Sequence, residues 1–154
     1  MRPGRLAELA GIEERRWCPD GVTFDQAAAH YVSAYQDKVT LETETYLLQS
    51  VMPFVGHLQL HQVHDGTLAP YVAKRLGEGR AHKTVNLGLG IVRRILNLAA
   101  KSWRDEHGRT WLEHAPAITM LPLVGHQREP QPLTWGQQRG LLPHLPDHLA
   151  RMAL

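Results

Sequence analysis

Cysteine is nearly absent from this chain. Cys18 stands alone, so no intramolecular disulfide can form, nothing argues for an oxidising compartment, and a cytoplasmic protein is the default expectation. Long apolar runs are missing too. No stretch approaches the roughly 20 residues that a membrane span needs, and the opening MRPGRLAELAGIEERRW lacks the apolar core of a signal peptide. No convincing alternating strand occurs; HLQLHQV at 57–63 is the nearest, and it is short. Gly-rich phosphate loops and dinucleotide fingerprints are absent, because the GLG at 88–90 lies inside a helical pattern. There is no H-E-x-x-H, and His57, His61 and His64, although spaced like ligands, lack the fourth group that zinc wants. The ten histidines read as surface residues, and no metal or other cofactor is expected. No strand–turn nucleophile motif supports a Ser/His/Asp triad.

What is present describes an ordinary globular protein: 154 residues, 43% hydrophobic and 21% charged. That length suffices for one domain with a core, or one domain and a fragment of another. Residues 1–21 read as a tail or a loosely docked helix ended by the turn Cys18-Pro19-Asp20-Gly21. Thr23 is a good N-cap for FDQAAAHYVSAYQDK, in which Phe24, Ala27, Ala28, Tyr31 and Tyr35 recur at helical spacing. Thr40 opens a second helix, LETETYLLQSVM, with Leu41, Thr45, Leu48 and Met52 on one face and Leu47 and Val51 beside it; Pro53 and Gly56 close it. Asp65 caps a third helix with the stripe Leu68, Tyr71, Val72 and Leu76, stopped by Gly77 and Gly79. A fourth and longest helix is expected over 82–106, ended by His107-Gly108. Helices joined by short loops predict an all-α bundle over 22–114. Four prolines (Pro116, Pro122, Pro130, Pro132) and a polar centre then mark 115–132 as a linker. Thr134 caps one more amphipathic segment, interrupted by Pro143 and Pro146, and the apolar run ending at Leu154 reads as the start of a truncated second domain over 133–154. The four tryptophans, Trp17, Trp103, Trp111 and Trp135, read as core or linker anchors.

The formal net charge is only +2, but it is unevenly placed. Between Lys74 and Arg104 eight bases face one acid, Glu78, a local charge of +7 that leaves −5 for the remainder. Such asymmetry is the electrostatic footprint of a nucleic-acid face, although a charge run can also be just a solvated surface. On a wheel at about 100° per residue, Val85, Leu89, Val92, Leu96, Ala99 and Trp103 share one face of the fourth helix. Opposite lie Lys83, Asn86, Gly90, Arg94, Asn97, Lys101 and Arg104, with Arg93 on the flank and no carboxylate among them. Lys, Arg and Asn are the side chains that reach phosphates and base edges. Gly90 costs about 1 kcal/mol in a helix relative to Ala, so something should approach the backbone there, either a phosphate strand or a neighbouring helix. Thr84 falls near the first turn, where exposed N–H groups favour anions.

In order and spacing these segments resemble the N-terminal core-binding domain of tyrosine recombinases of the phage integrase family. TFDQAAAHYVSAY is similar to that domain's first helix, and TLETETYLLQSVMPFVGHLQLHQV to its second with the exit loop. KTVNLGLGIVRRILNLAAKSW resembles its long fourth helix, and PLTWGQQRGLLPHLPDHLARMAL the beginning of the catalytic domain. The sequence departs from the family where Ala115-Pro116 replaces Asn-Pro, where Gln137 stands in place of the usual acid or that acid is absent, and in carrying both Gly88 and Gly90. The resemblance implies a SAM-like helical bundle that clamps double-stranded DNA as one arm of a site-specific recombinase, with other protomers on the same DNA as further partners. It also implies that the chain by itself catalyses nothing. The family's first arginine, in a Thr-Gly-Leu-Arg-like turn, would follow Leu154, and none of Tyr31, Tyr35, Tyr46 or Tyr71 occupies the nucleophile's place. Lys83, Thr84, Asn86, Arg93, Arg94 and Lys101 are the DNA-contact candidates, with Thr43 on the second helix a weaker one. A helical protein-interaction module with a basic strip for an acidic partner is the competing expectation.

Overall fold

The computed structural model describes residues 21–125 and 130–146. The readings made for residues 1–20, including Trp17 and Cys18, for the polar centre of the Pro-rich stretch at 126–129, and for the chain end at 147–154 lie outside the described residues. Within them the protein is all-helical, with no strand. The elements are α1 (Phe24–Ala34), α2 (Leu41–Val55), a 3-10 turn (Leu60–Gln62), α3 (Asp65–Gly77), α4 (His82–Lys101), α5 (Trp135–Leu141) and a second 3-10 turn (Leu142–His144). No described helix is long and apolar enough to cross a membrane.

The first four helices form a bundle with α4 at its centre, in contact with each of the other three. The stripe expected on α4 is the one that is buried: Val85, Leu89, Val92, Leu96, Ala99 and Trp103 all lie in the core. Gly88, Ile91 and Ile95 are buried beside it, so the helix is covered over a wider arc than a two-layer packing would need. On α1, Phe24, Ala27, Ala28 and Tyr31 point inward. At its start Gln26 accepts a hydrogen bond from the Thr23 backbone N–H at 3.2 Å, satisfying a donor that the first turn leaves free.

Several helix boundaries differ from those expected. Pro53 does not close α2. The helix runs through it to Val55, because proline in the last turn sacrifices only one hydrogen bond, and Gly56 ends it by donating to Met52 O at 2.8 Å. The buried face of α2 is Leu47, Leu48, Val51 and Val55, while Leu41, Thr45 and Met52 stay half-exposed. His64, and not Asp65, caps α3: its Nδ1 accepts from Gly66 N at 3.0 Å, and Thr67 Oγ1 accepts from His64 N at 3.0 Å. On α3 the fourth inward position is held by Arg75, with Leu76 left 37% exposed. The fourth helix stops at Lys101, short of the expected 106. Asp105 accepts from the backbone N–H groups of His107 (2.9 Å) and Arg109 (2.8 Å), which pulls the chain into a loop that competes with helix. HLQLHQV is the 3-10 turn. Its flanks pair with the start of α1, Phe24 N donating to Leu58 O at 2.8 Å and Leu60 N to Val22 O at 3.0 Å.

The Pro-rich stretch is not uniform. Leu112 and Ile118 are buried in the bundle core, and residues up to Pro122 are tied to α3 and α4. We call 115–123 the strap. Beyond it, α5 carries a capping box, with Gln137 N donating to Thr134 Oγ1 at 3.3 Å and Thr134 N to Gln137 Oε1 at 3.0 Å, but it buries none of its residues. Trp135 is 77% exposed and buries no contact among the described residues, whereas Trp103 meets His30 edge-to-face and Trp111 meets it at a tilt, at centroid distances of 4.8 and 4.9 Å.

Candidate nucleic-acid interface

Burial of one arc of α4 leaves the opposite arc outward, and the sequence has put cations there. Lys83, Arg93, Arg94 and Lys101 are exposed, and Thr84 is half-buried in the first turn. From Lys83 to Lys101 the helix rises about 27 Å, the length of about 8 base pairs of duplex. Among the described residues none of these four cations is paired with a carboxylate; the ion pairs formed by other cations are Lys38–Glu44, Arg75–Glu78 and Arg109–Asp105. Of the eight bases between 74 and 104, Arg75 is thus withdrawn, 7% exposed and bound to Glu78 at 2.9 Å, while Arg104 donates to Gly108 O at 2.9 Å. Pairing Arg75 with Glu78 also neutralises the only acid of that stretch.

Arg94 is the best-positioned of the set. Its guanidinium lies over the rings of Tyr31 and Tyr35, 5.9 and 5.8 Å from their centroids, a cation–π arrangement that holds a long side chain in place without removing its charge. Tyr31 is itself fixed: its hydroxyl donates to Glu44 Oε2 at 2.8 Å and accepts from Lys38 Nζ at 3.1 Å, and Lys38 also bonds Glu44 directly. Burial pushes the Tyr31 hydroxyl above its ordinary value. Burial would raise the Glu44 carboxyl as well, but hydrogen bonds from Lys38, Tyr31 and Thr40 outweigh it and hold the group below the usual carboxylate range. Tyr31 is therefore a support under Arg94. Sequence reading missed this support, since Tyr31 and Tyr35 looked like core stripe alone.

Two candidates fare differently. Asn86, expected to read a base edge, has both ends of its amide engaged within the protein. Its Nδ2 donates to Leu121 O at 2.9 Å, and its Oδ1 accepts from Leu121 N at 2.7 Å. Both ends of the amide satisfy backbone of the strap, which would otherwise leave a half-buried N–H and C=O without partners. Thr43 is exposed in the first turn of α2, between Glu42 and Glu44, a setting that opposes phosphate. The two glycines of α4 also separate. A Cβ at Gly88 would lie 2.2 Å from Tyr71 Oη, so the neighbouring helix α3 accounts for that glycine. A Cβ at Gly90 would meet nothing within 4 Å.

Over Gly90 the exposed arc is concave. Gly90, Arg93, Arg94, Asn97 and Lys101 line a notch of about 340 Å³, with Asn97 turned back to donate to Arg93 O at 2.9 Å. A larger groove is elsewhere. It lies between α1 and α2, is about 670 Å³ and mainly apolar, and is lined by Ala28, Ala29, Val32, Leu48 and Met52 among others. No group of three His, Cys, Asp or Glu among the described residues could hold a metal ion, and His64 is committed to capping α3. In comparisons with protein-family models, curated proteins and solved structures, nothing matches the chain.

Proposed function

We propose that this protein binds double-stranded DNA through the exposed arc of α4, as the N-terminal arm of a site-specific recombinase of the integrase type. One observation carries the DNA part: four cations spread along about 27 Å of rigid helix with no carboxylate partner among the described residues. Unneutralised like charges on one helix face repel each other, and a polyanion of matching length relieves that repulsion while releasing its own counterions. Arg93, Arg94 and Lys101 serve as phosphate contacts in this reading, Lys83 and Thr84 meet the backbone at the helix N-terminus, and Asn86 holds the strap. The recombinase part rests on the order of the sequence segments; an all-helical bundle is compatible with it.

The test is a titration of the full 154-residue chain with a short duplex at low salt, followed residue by residue through backbone amide shifts. The expected result is a contiguous set of shifts on the exposed arc of α4. A competing reading, a protein-interaction module, draws on the apolar groove between α1 and α2. Shifts confined to that groove, with α4 silent towards duplex, would replace the DNA reading with that one.

A further inference from the structure

Glycine in mid-helix is unfavourable, and a folded chain usually supplies the reason. For Gly88 it does, in the Tyr71 hydroxyl that fills the space of a Cβ. For Gly90 it does not: no atom outside the helix's own backbone and immediate neighbours lies within 4 Å of a Cβ there. Packing does not account for Gly90, yet it sits at the floor of the notch bounded by Arg93, Arg94 and Lys101. Arg94 is held to one side by Tyr31 and Tyr35. Asn97 is drawn towards the Arg93 carbonyl, which keeps its amide along the notch. The result is bare backbone in a notch lined by Arg93 and Arg94, with Lys101 about three turns further along the helix.

We propose that the notch over Gly90 seats a single phosphodiester group of a DNA strand, with Arg93 and Arg94 on either side of it. This inference rests on the DNA reading of α4 and adds a specific point of closest approach. The lack of a side chain lets the strand come near the helix, so that both arginines reach the same phosphate and need not each extend to a different one. Arginine suits this role because its planar fork can present two donors to two phosphate oxygens. A free phosphate has the same chemistry, so the two sources have to be told apart by measurement.

Gly90→Leu and Gly90→Ala keep every charge, and the added Cβ meets nothing within 4 Å on an exposed helix face, so both variants should fold. Melting curves should show Gly90→Ala at or above the parent, since alanine favours helix more than glycine. In duplex binding at low salt, Gly90→Leu should weaken affinity about tenfold or more and lower the steepness of log K against log[salt] by about 0.9, the loss of one phosphate contact. Gly90→Ala should lie between. In the parent, the Gly90 amide should be among the most shifted signals on adding duplex, whereas millimolar inorganic phosphate should move it little. If Arg93→Ala and Lys101→Ala weaken binding but Gly90→Leu does not, and the Gly90 amide stays still, the seat is refuted while DNA binding by the face stands. If none of the charge variants weakens binding, or the parent fails to bind duplex, the DNA reading falls and the seat with it. If inorganic phosphate moves the Gly90 amide and duplex does not, the notch takes a free anion and the assignment to a DNA strand is overturned.

Discussion

A Cβ at Gly88 would lie 2.2 Å from the Tyr71 hydroxyl, whereas one at Gly90 would meet nothing within 4 Å. These glycines are two residues apart, on opposite sides of α4. The Gly88 side is closed by α3 and filled by Val85, Leu89, Val92 and Leu96; the Gly90 side is open and lined by Arg93, Arg94 and Lys101. The difference teaches that one helix divides its tasks by angle. One arc determines whether the bundle stands, and the other can change with little effect on stability and is available for a partner. Asn86 shares the open side by angle, yet its two hydrogen bonds to Leu121 give it to the first task.

That division can be broken or sharpened by substitution. The largest effect on stability is expected at Asn86. Replacing it with Ala strips Leu121 of both backbone partners, and unpaired half-buried amide groups cost about 1–3 kcal/mol. Chemical denaturation should show that loss, and hydrogen exchange should speed up across 115–123. A variant as stable as the parent, with the strap still protected, would return Asn86 to the open face. Next comes Gly88→Ala. Overpacking costs about 1–3 kcal/mol, offset in part by the roughly 1 kcal/mol that Ala gains over Gly in a helix. Because the sharpest collision is with the hydroxyl oxygen, with ring carbon Cζ at 3.1 Å behind it, Tyr71→Phe should recover part of the loss, all the more since Tyr71 Oη has no hydrogen-bond partner among the described residues. Failure of Tyr71→Phe to rescue Gly88→Ala would mean that the clash lies elsewhere.

A smaller, pH-dependent effect is expected where Asp65 holds the strap. Thr119 donates its hydroxyl to Asp65 Oδ2 at 2.6 Å and its backbone N–H to Oδ1 at 2.9 Å. These bonds hold the Asp65 carboxyl below the usual carboxylate range. A depressed folded-state value means that the contribution is complete above the unfolded value of about 3.9 and is lost as pH falls through the lower folded value. Asp65→Asn should therefore destabilise at neutral pH, by under about 1 kcal/mol because the site faces solvent. The gap to the parent should narrow in acid below about pH 4. A gap that widened in acid would contradict the assignment. The smallest stability effects, within about 0.5 kcal/mol, belong to Lys83, Arg93 and Lys101 changed singly to Ala.

Much of the bundle was legible in the sequence because period and capping speak locally. The inward stripe of α4 and the Thr23 start of α1 needed only residues within a turn or two of each other. What stayed hidden depended on partners far along the chain. Asn86 looked like a base reader because its partner, Leu121, lies 35 residues away in a stretch whose prolines read as linker. Closely spaced prolines disfavour helix, but they do not prevent an extended segment from docking through Ile118 and a few backbone bonds. Helix ends were misjudged where a side chain competed for backbone, as Asp105 does after α4. Gly88 and Gly90 are the same residue in the same helix, and only the position of Tyr71 distinguishes them. On the candidate face, the exposed cations were legible from the wheel, but the stacking of Arg94 on Tyr31 and Tyr35 was not.

The most direct test of the account is the salt dependence of duplex binding by the full chain and by Lys83→Ala, Arg93→Ala, Arg94→Ala and Lys101→Ala. Each lysine or arginine that neutralises a phosphate should contribute about 0.9 to the slope of log K against log[salt]. Lys83→Ala and Lys101→Ala should therefore bind more weakly at low salt with a slope shallower by about that amount, and Arg93→Ala and Arg94→Ala, which share one phosphate in the proposed seat, should each lower affinity with a smaller change of slope, while Glu42→Gln, off the face, should leave the slope unchanged. If all four variants keep the parent's affinity and slope, the exposed arc of α4 does not touch DNA.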